Sequence, residues 1–170
     1  MALTRIIMGE VVSGVSCMLR ISKLTDYATV LLAELVHRPH ECLPARRLAE
    51  LSRLELPTVA KVLKTLARAG LVNSVRGVNG GYKLADAPED ISVACIIQAM
   101  EGPIALTECG LESGLCLHEP DCSLRGNWQK IGQAVENALS AMSLADLAEP
   151  ASRRIAIRAQ VVAEPPREIS

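Results

Sequence analysis

Residues 44–70 read Pro-Ala-Arg-Arg-Leu-Ala-Glu-Leu-Ser-Arg-Leu-Glu-Leu-Pro-Thr-Val-Ala-Lys-Val-Leu-Lys-Thr-Leu-Ala-Arg-Ala-Gly. The spacing predicts two helices joined by a tight turn. The second opens at Pro57, whose fixed φ suits a first helical position, and stops at Gly70, which suits a left-handed cap. Ala49 is small enough for two helices to cross closely, and Leu54, Val59 and Val62 fill the angle between them. This is the helix-turn-helix pattern, whose second helix enters the DNA major groove. Arg53 stands where such a turn often holds glycine. Thr58, Lys61, Lys64, Thr65 and Arg68 fall away from the Val59-Val62-Leu63-Leu66 face, toward bases and phosphates. An ordinary helical hairpin with a solvated charged face would use the same spacing.

The next stretch favours DNA. Residues 71–84 read Leu-Val-Asn-Ser-Val-Arg-Gly-Val-Asn-Gly-Gly-Tyr-Lys-Leu, two short strands around a glycine-rich turn. A hairpin directly after a helix-turn-helix is a wing, with Arg76 and Lys83 expected near its tip. A nucleotide-binding glycine loop is the rival, but the strand-to-helix step with Gly-x-Gly-x-x-Gly spacing is absent. Net charge is −1 over the 170 residues. Residues 46–83 nevertheless hold eight basic and two acidic side chains, a balance of +6, and Arg46 and Arg47 at its start are further phosphate candidates. Residues 101–121 hold five acids and no Lys or Arg.

Toward the N-terminus, Ser22 caps a helix over residues 23–35, with Leu24, Ala28, Leu31, Leu32 and Leu35 on one face. Asp26 falls in its first turn, where a carboxylate favours the helix dipole. Residues 1–17 are a poor signal peptide and form an N-terminal extension, or precede a true start at Met18. Hydrophobic residues make up 49 % of the chain with Phe absent, so the core is aliphatic, which favours helices. With no apolar run of membrane-spanning length, the expected location is the cytoplasm, with reduced thiols.

Toward the C-terminus, Asp90 or Ser92 caps a short helix over residues 93–100, in which Cys95 reads as a core thiol. Cys17 and Cys42 have no partner pattern. Residues 108–128 read Glu-Cys-Gly-Leu-Glu-Ser-Gly-Leu-Cys-Leu-His-Glu-Pro-Asp-Cys-Ser-Leu-Arg-Gly-Asn-Trp. Gly110, Gly114 and Pro120 argue for a loop, neither helix nor strand. Cys109, Cys116 and Cys122 are separated by six and five residues. Unremarkable loop cysteines are one reading. Zinc sites usually use a Cys-x-x-Cys pair, which the chain lacks, and three thiols cannot all pair as disulfides. A cluster is larger than one ion and accepts longer spacers, so a ligand set for a soft metal or an iron–sulfur cluster is the other reading, and spacing alone does not decide between them.

A long helix then begins near Ser123, with Leu124, Trp128, Ile131, Val135, Ala138 and Met142 at alternating steps of four and three. Such a seam suits a helix–helix interface, here a homodimer. Residues 143–147 form a further helical turn, and residues 149–170 a mobile tail. The fold expected is mainly α with a small β-hairpin. A winged helix-turn-helix spans residues 18–90, a linking helix and cysteine loop 91–122, and a dimerisation helix 123–148.

Over residues 18–147 the chain resembles the Rrf-type winged-helix regulators, the family of the iron–sulfur biogenesis regulator IscR and the nitric-oxide sensor NsrR. The shared pieces are Leu-Thr-Asp-Tyr-Ala at 24–28, Ser-Val-Arg-Gly-Val-Asn-Gly-Gly-Tyr at 74–82, the three spaced cysteines and Leu-Ala-Asp-Leu at 144–147. Residues 101–109 and 122–128 are most similar to the branch that regulates the SUF cluster-assembly operon. The resemblance implies a homodimer with crossed long helices on a palindromic operator. It also implies a 2Fe–2S or 4Fe–4S cluster on Cys109, Cys116 and Cys122. The family's base-reading positions fall on Pro57, Thr58 and Lys61, and its wing arginine on Arg76. Pro57 has neither an N–H nor a polar side chain, so the operator need not match that of relatives. For the fourth ligand, one branch uses a His three residues after the third Cys, where this chain has Arg125, which stays protonated. Another uses an Asp of the partner's first helix, a position matched by Asp26. His118 inside the loop is the alternative.

Together these imply a cluster-sensing repressor of a SUF operon. A nitric-oxide-sensing repressor is the nearest rival, and an iron–sulfur carrier or electron-transfer protein is the rival of another class. No Ser/His/Asp set or paired-carboxylate motif points to an enzyme.

Overall fold

The computed structural model describes residues 20–77, 80–111, 114–117 and 121–149, apart from the Cys109 side chain. The N-terminal extension, the tail beyond 149 and His118 lie outside these described residues.

Helix α1 (Lys23–Val36) begins where Ser22 Oγ accepts the Thr25 N–H at 3.2 Å. It ends just before Arg38-Pro39, and Arg38 turns back onto Glu34 at 2.5 Å. Its buried face carries Ala28, Leu31, Leu32 and Leu35, together with Thr25. Helix α2 (Ala45–Ser52) stops at Arg53, whose backbone is left-handed at φ 57 and ψ 33. Helix α3 (Leu56–Arg68) starts one residue earlier than Pro57 suggests, with proline inside its first turn. The first-turn amides have no intrahelical acceptor, so a missing N–H there costs little. Gly70 at φ 77 closes α3, and the Leu71 N–H reaches back to the Leu66 carbonyl at 3.0 Å. Val59, Val62, Leu63 and Leu66 are buried, which is the face the periodicity predicts.

Strands β1 (Val72–Val75) and β2 (Gly81–Leu84) form an antiparallel hairpin in register from Val72 opposite Leu84 to Val75 opposite Gly81. Lys83 sits opposite Asn73, toward the base of the wing, so only Arg76 lies at the tip side. The sequence did not announce one further rung. Leu43, just before α2, exchanges two backbone hydrogen bonds with Tyr82, at 3.0 and 2.8 Å. Gly81 permits this approach, since a Cβ there would lie 2.4 Å from the Leu43 carbonyl carbon.

Helix α4 (Val93–Glu101) is capped by Ser92, not Asp90. Its buried side chains are Val93, Ala94 and Ile96. Cys95 is exposed, which corrects its reading as a core thiol: 100° per residue carries it off the inward face set by its neighbours. The cysteine segment is not wholly a loop, because residues Glu108–Leu111 form one helical turn, α5. Gly110 fits there because its N–H closes onto the Thr107 carbonyl at 2.9 Å. Helix α6 (Arg125–Ser140) follows, two residues later than Ser123 suggests. Helix α7 (Leu144–Ala148) starts with a capping box between Ser143 and Asp146.

The two capping serines, Ser92 and Ser143, sit on one antiparallel bridge. The Val93 N–H meets the Met142 carbonyl at 2.8 Å, and the Leu144 N–H meets that of Ile91 at 2.7 Å. This stitch returns the chain from α6 to α1, where Leu144 is fully buried. Helix α1 is thus the hub of one aliphatic core, packed by α2, α3, α4, α7 and the wing. Each fully buried Leu contributes roughly 1.5–3 kcal/mol relative to exposure.

Candidate nucleic-acid interface and cysteine loop

With its apolar face fixed in the core, α3 turns Pro57, Lys61, Lys64 and Arg68 to solvent. Thr58 and Thr65 are half-buried, and the Thr65 hydroxyl donates to the Lys61 carbonyl at 3.3 Å. On α2, Glu50 draws in Arg46 at 3.9 Å and Arg47 at 3.1 Å. Both pairs are exposed, and such pairs contribute only about 0–1 kcal/mol, so a phosphate can replace the carboxylate. Arg76 follows β1, exposed beside Gly77 at φ 114. Recognition helix, α2 start and wing therefore offer exposed cations from three elements that share one core.

The cysteine segment hangs between α4 and α6. Gly102 at φ 92 ends α4 and turns the chain outward, and Gly114 at φ 90 turns it again. Cys116 and Cys122 are half-buried free thiols. The Cys122 carbonyl accepts the Arg125 N–H at 3.4 Å, at the root of α6. Helix α5, which carries Cys109, packs against α6, so both ends of the segment meet. Asp26 lies exposed in the first turn of α1. Among the described residues no three His, Cys, Asp or Glu side chains converge on a metal position, and the Cys109 side chain and His118 are not among those residues.

A contact invisible in the sequence joins the root of the cysteine segment to the start of α1. Glu101, the last residue of α4, accepts the Ser22 N–H at 2.7 Å and the Thr25 hydroxyl at 2.5 Å. Burial pushes the Glu101 pKa up, but the hydrogen bonds from Thr25 and Ser22 outweigh it and hold the carboxyl below its ordinary value. The partners are 79 and 76 residues apart, and no local pattern signals such a pairing.

The Rrf2 family, described as iron-dependent transcriptional regulators, matches residues 21–150. The chain belongs to the Rrf2 family. It is 29 % identical over 131 residues to the regulator NsrR of Shouchella clausii, covering 76 % of this chain and 88 % of that one. Among solved structures, CymR, the global cysteine regulator of B. subtilis, aligns at TM-score 0.60 and 29 % identity, covering 76 % of this chain and 96 % of the other. T. potens IscR aligns at TM-score 0.58 and 29 % identity, covering 79 % and 92 %. This Rrf2 chain is accordingly a winged-helix, DNA-binding transcriptional regulator and not an enzyme. Among its described residues no helix is long and apolar enough to cross a membrane.

Proposed function

We propose that this Rrf2 regulator is a homodimeric, iron–sulfur-responsive repressor acting in the cytoplasm on a SUF cluster-assembly operon. The observation that carries the reading is α6. No residue of this 16-residue helix is buried, and Leu124, Trp128 and Ile131 are 56, 42 and 46 % exposed. An amphipathic helix without a buried face requires a partner, and a second copy supplies the same seam. That helix follows directly on the segment bearing Cys109, Cys116 and Cys122.

The donor chemistry fits a cluster. Thiolates are soft ligands, and an acidic segment without Lys or Arg disfavours three thiolates unless iron offsets their charge. Cys109, Cys116 and Cys122 would hold it, with Asp26 of the partner subunit as fourth ligand and His118 as the alternative. When bound, the group would supply a centre sensitive to iron shortage, oxidants and nitric oxide, and a carboxylate such as Asp26 would be a harder, weaker ligand for its iron than thiolate. The chain's own part is to pass on the state of the segment. Glu101 ties its root to α1, and α6 sets the separation of two recognition helices against one turn of DNA. Residues 18–90 then serve as reader, 91–122 as sensor and 123–148 as dimer arm. Pro57, Thr58, Lys61, Lys64 and Thr65 face the groove, with Arg46, Arg47 and Arg76 on phosphates.

The likeness to NsrR favours nitric oxide as a second reading of the signal. The likeness to a cysteine regulator makes a cluster-free thiol switch the outcome to test against. Anaerobic purification with an absorption spectrum and iron and sulfide counts decides. A thiolate-to-iron band with stoichiometric sulfide, lost in Cys109→Ala, is expected. A colourless protein after reconstitution with iron and sulfide refutes the cluster.

A further inference from the structure

Arg53 is the only non-glycine residue with positive φ among the described residues. In this region an L side chain crowds its own carbonyl, so glycine is the residue the backbone favours. Asn or Asp can compensate with a local hydrogen bond, whereas arginine brings no such bond. The turn itself asks for nothing from the side chain. The Arg53 N–H reaches the Ala49 carbonyl, a contact any residue but proline supplies. The side chain is exposed. Arg38 pairs with Glu34, and Arg46 and Arg47 with Glu50, but no carboxylate among the described residues pairs with Arg53. It stands between α2 and the first turn of the recognition helix, inside the basic stretch. The fold therefore gives no reason for a cation at the one described position where a side chain other than hydrogen is held at positive φ. Such an outlier points to use.

We propose that Arg53 is a DNA-backbone contact whose guanidinium takes a phosphate beside the bases read by α3 and fixes the register of that helix in the groove. The planar fork of arginine suits phosphate oxygens, and the contact carries no base preference. The inference rests on the DNA-binding reading and adds a residue that the helix-turn-helix pattern normally leaves as glycine.

The test compares the full-length protein with Arg53→Gly, Arg53→Asn and Arg53→Lys. The probes are an operator selected from a random duplex pool and a scrambled duplex of equal length, titrated between about 50 and 200 mM salt. Glycine relieves the turn, so Tm rises by about 2 °C. Affinity for both duplexes falls by a similar factor of about ten, and the slope of log K against log salt becomes shallower by about 0.9 per protomer. Asparagine, which tolerates the left-handed turn without charge, repeats the loss, and lysine keeps the slope. Wild-type affinity and slope in Arg53→Gly, or a loss confined to the selected operator, overturn the proposal. Failure of the wild-type protein to bind either duplex in a salt-dependent way refutes the DNA-binding reading itself, before any variant is compared.

Discussion

The Glu101 carboxylate accepts the hydroxyl of Thr25, a residue with no solvent exposure, at 2.5 Å. Thr25 has one hydroxyl proton, so in its 3.0 Å contact with Ser22 the Ser22 hydroxyl is the donor. The chain of donors runs from Ser22 through Thr25 to Glu101, and Asp26 is the next residue along α1. The start of α1 and the root of the cysteine segment are thus one unit.

Glu101→Ala should remove that unit. Glu101 is largely exposed, so solvent screens the bonds and the expected loss is on the order of 1 kcal/mol. The lowered carboxyl pKa fixes the sign with pH. The stabilisation is present above the ordinary Glu value and is lost as pH falls through the lowered folded-state value. Urea denaturation from pH 7 down to about pH 3 should show a flatter acid limb in Glu101→Gln than in the wild type. Parallel limbs would mean that the carboxylate does not couple the helices.

Replacing Trp128 or Ile131 by Glu should place a charge in the seam of α6 and convert a dimer into a monomer. Neither side chain belongs to the aliphatic core, so helix content should survive. Sedimentation velocity with far-UV circular dichroism checks both statements. A wild-type monomer would remove the dimer, and a dimeric Glu variant would place its contact elsewhere.

Gly81→Ala drives a methyl into the Leu43 backbone, which is not a flexible neighbour. The expected cost is about 1–3 kcal/mol, with the wing displaced from α2. Loss of the phosphate contact proposed for Arg76 should then weaken binding beyond what the lower stability explains. Unchanged Tm and affinity would show that the rung between Leu43 and Tyr82 is dispensable.

Helix α3 carries no Asp, Glu, Asn or Gln, so it lacks the bidentate amides that read adenine N6 and N7 and the carboxylates that accept from cytosine N4. Lysine favours guanine, while Pro57, Thr58 and Ala60 offer apolar atoms to thymine methyls. Operators selected in vitro should therefore be read at guanines and thymines. Uracil in place of a contacted thymine should weaken binding, and Lys61→Ala should relax one guanine by about 1–3 kcal/mol. Insensitivity to both changes would move base reading off this helix.

Much of the helical order is legible because several elements carry their own punctuation: Ser22 caps α1, Gly70 closes α3, and Ser92, one of two candidates, caps α4. Elements whose partners are distant in sequence were not legible. The Leu43 rung and the Glu101 bonds depend on how the core closes, which no local period encodes. Cys95 was misread because a run of apolar neighbours does not by itself say which way one helical position faces. Helix α5 is not legible because Gly110, with Gly114 and Pro120 close behind, argues against helix, whereas one turn needs only the closure of Gly110 onto Thr107. Of the site, the exposed cations of α3 followed from the period of its apolar face. The cysteines could be named as donors, but spacing alone cannot show how they converge.

On the proposed reading the state of the cysteine segment sets operator affinity. Its most direct test is an anaerobic fluorescence-anisotropy titration of the same operator with cluster-loaded protein and with protein stripped by chelator, at one fixed salt concentration. The two dissociation constants should differ by at least about tenfold, a coupling of roughly 1.4 kcal/mol. The difference should vanish in Cys109→Ala. Equal affinities for the loaded and stripped protein would contradict it.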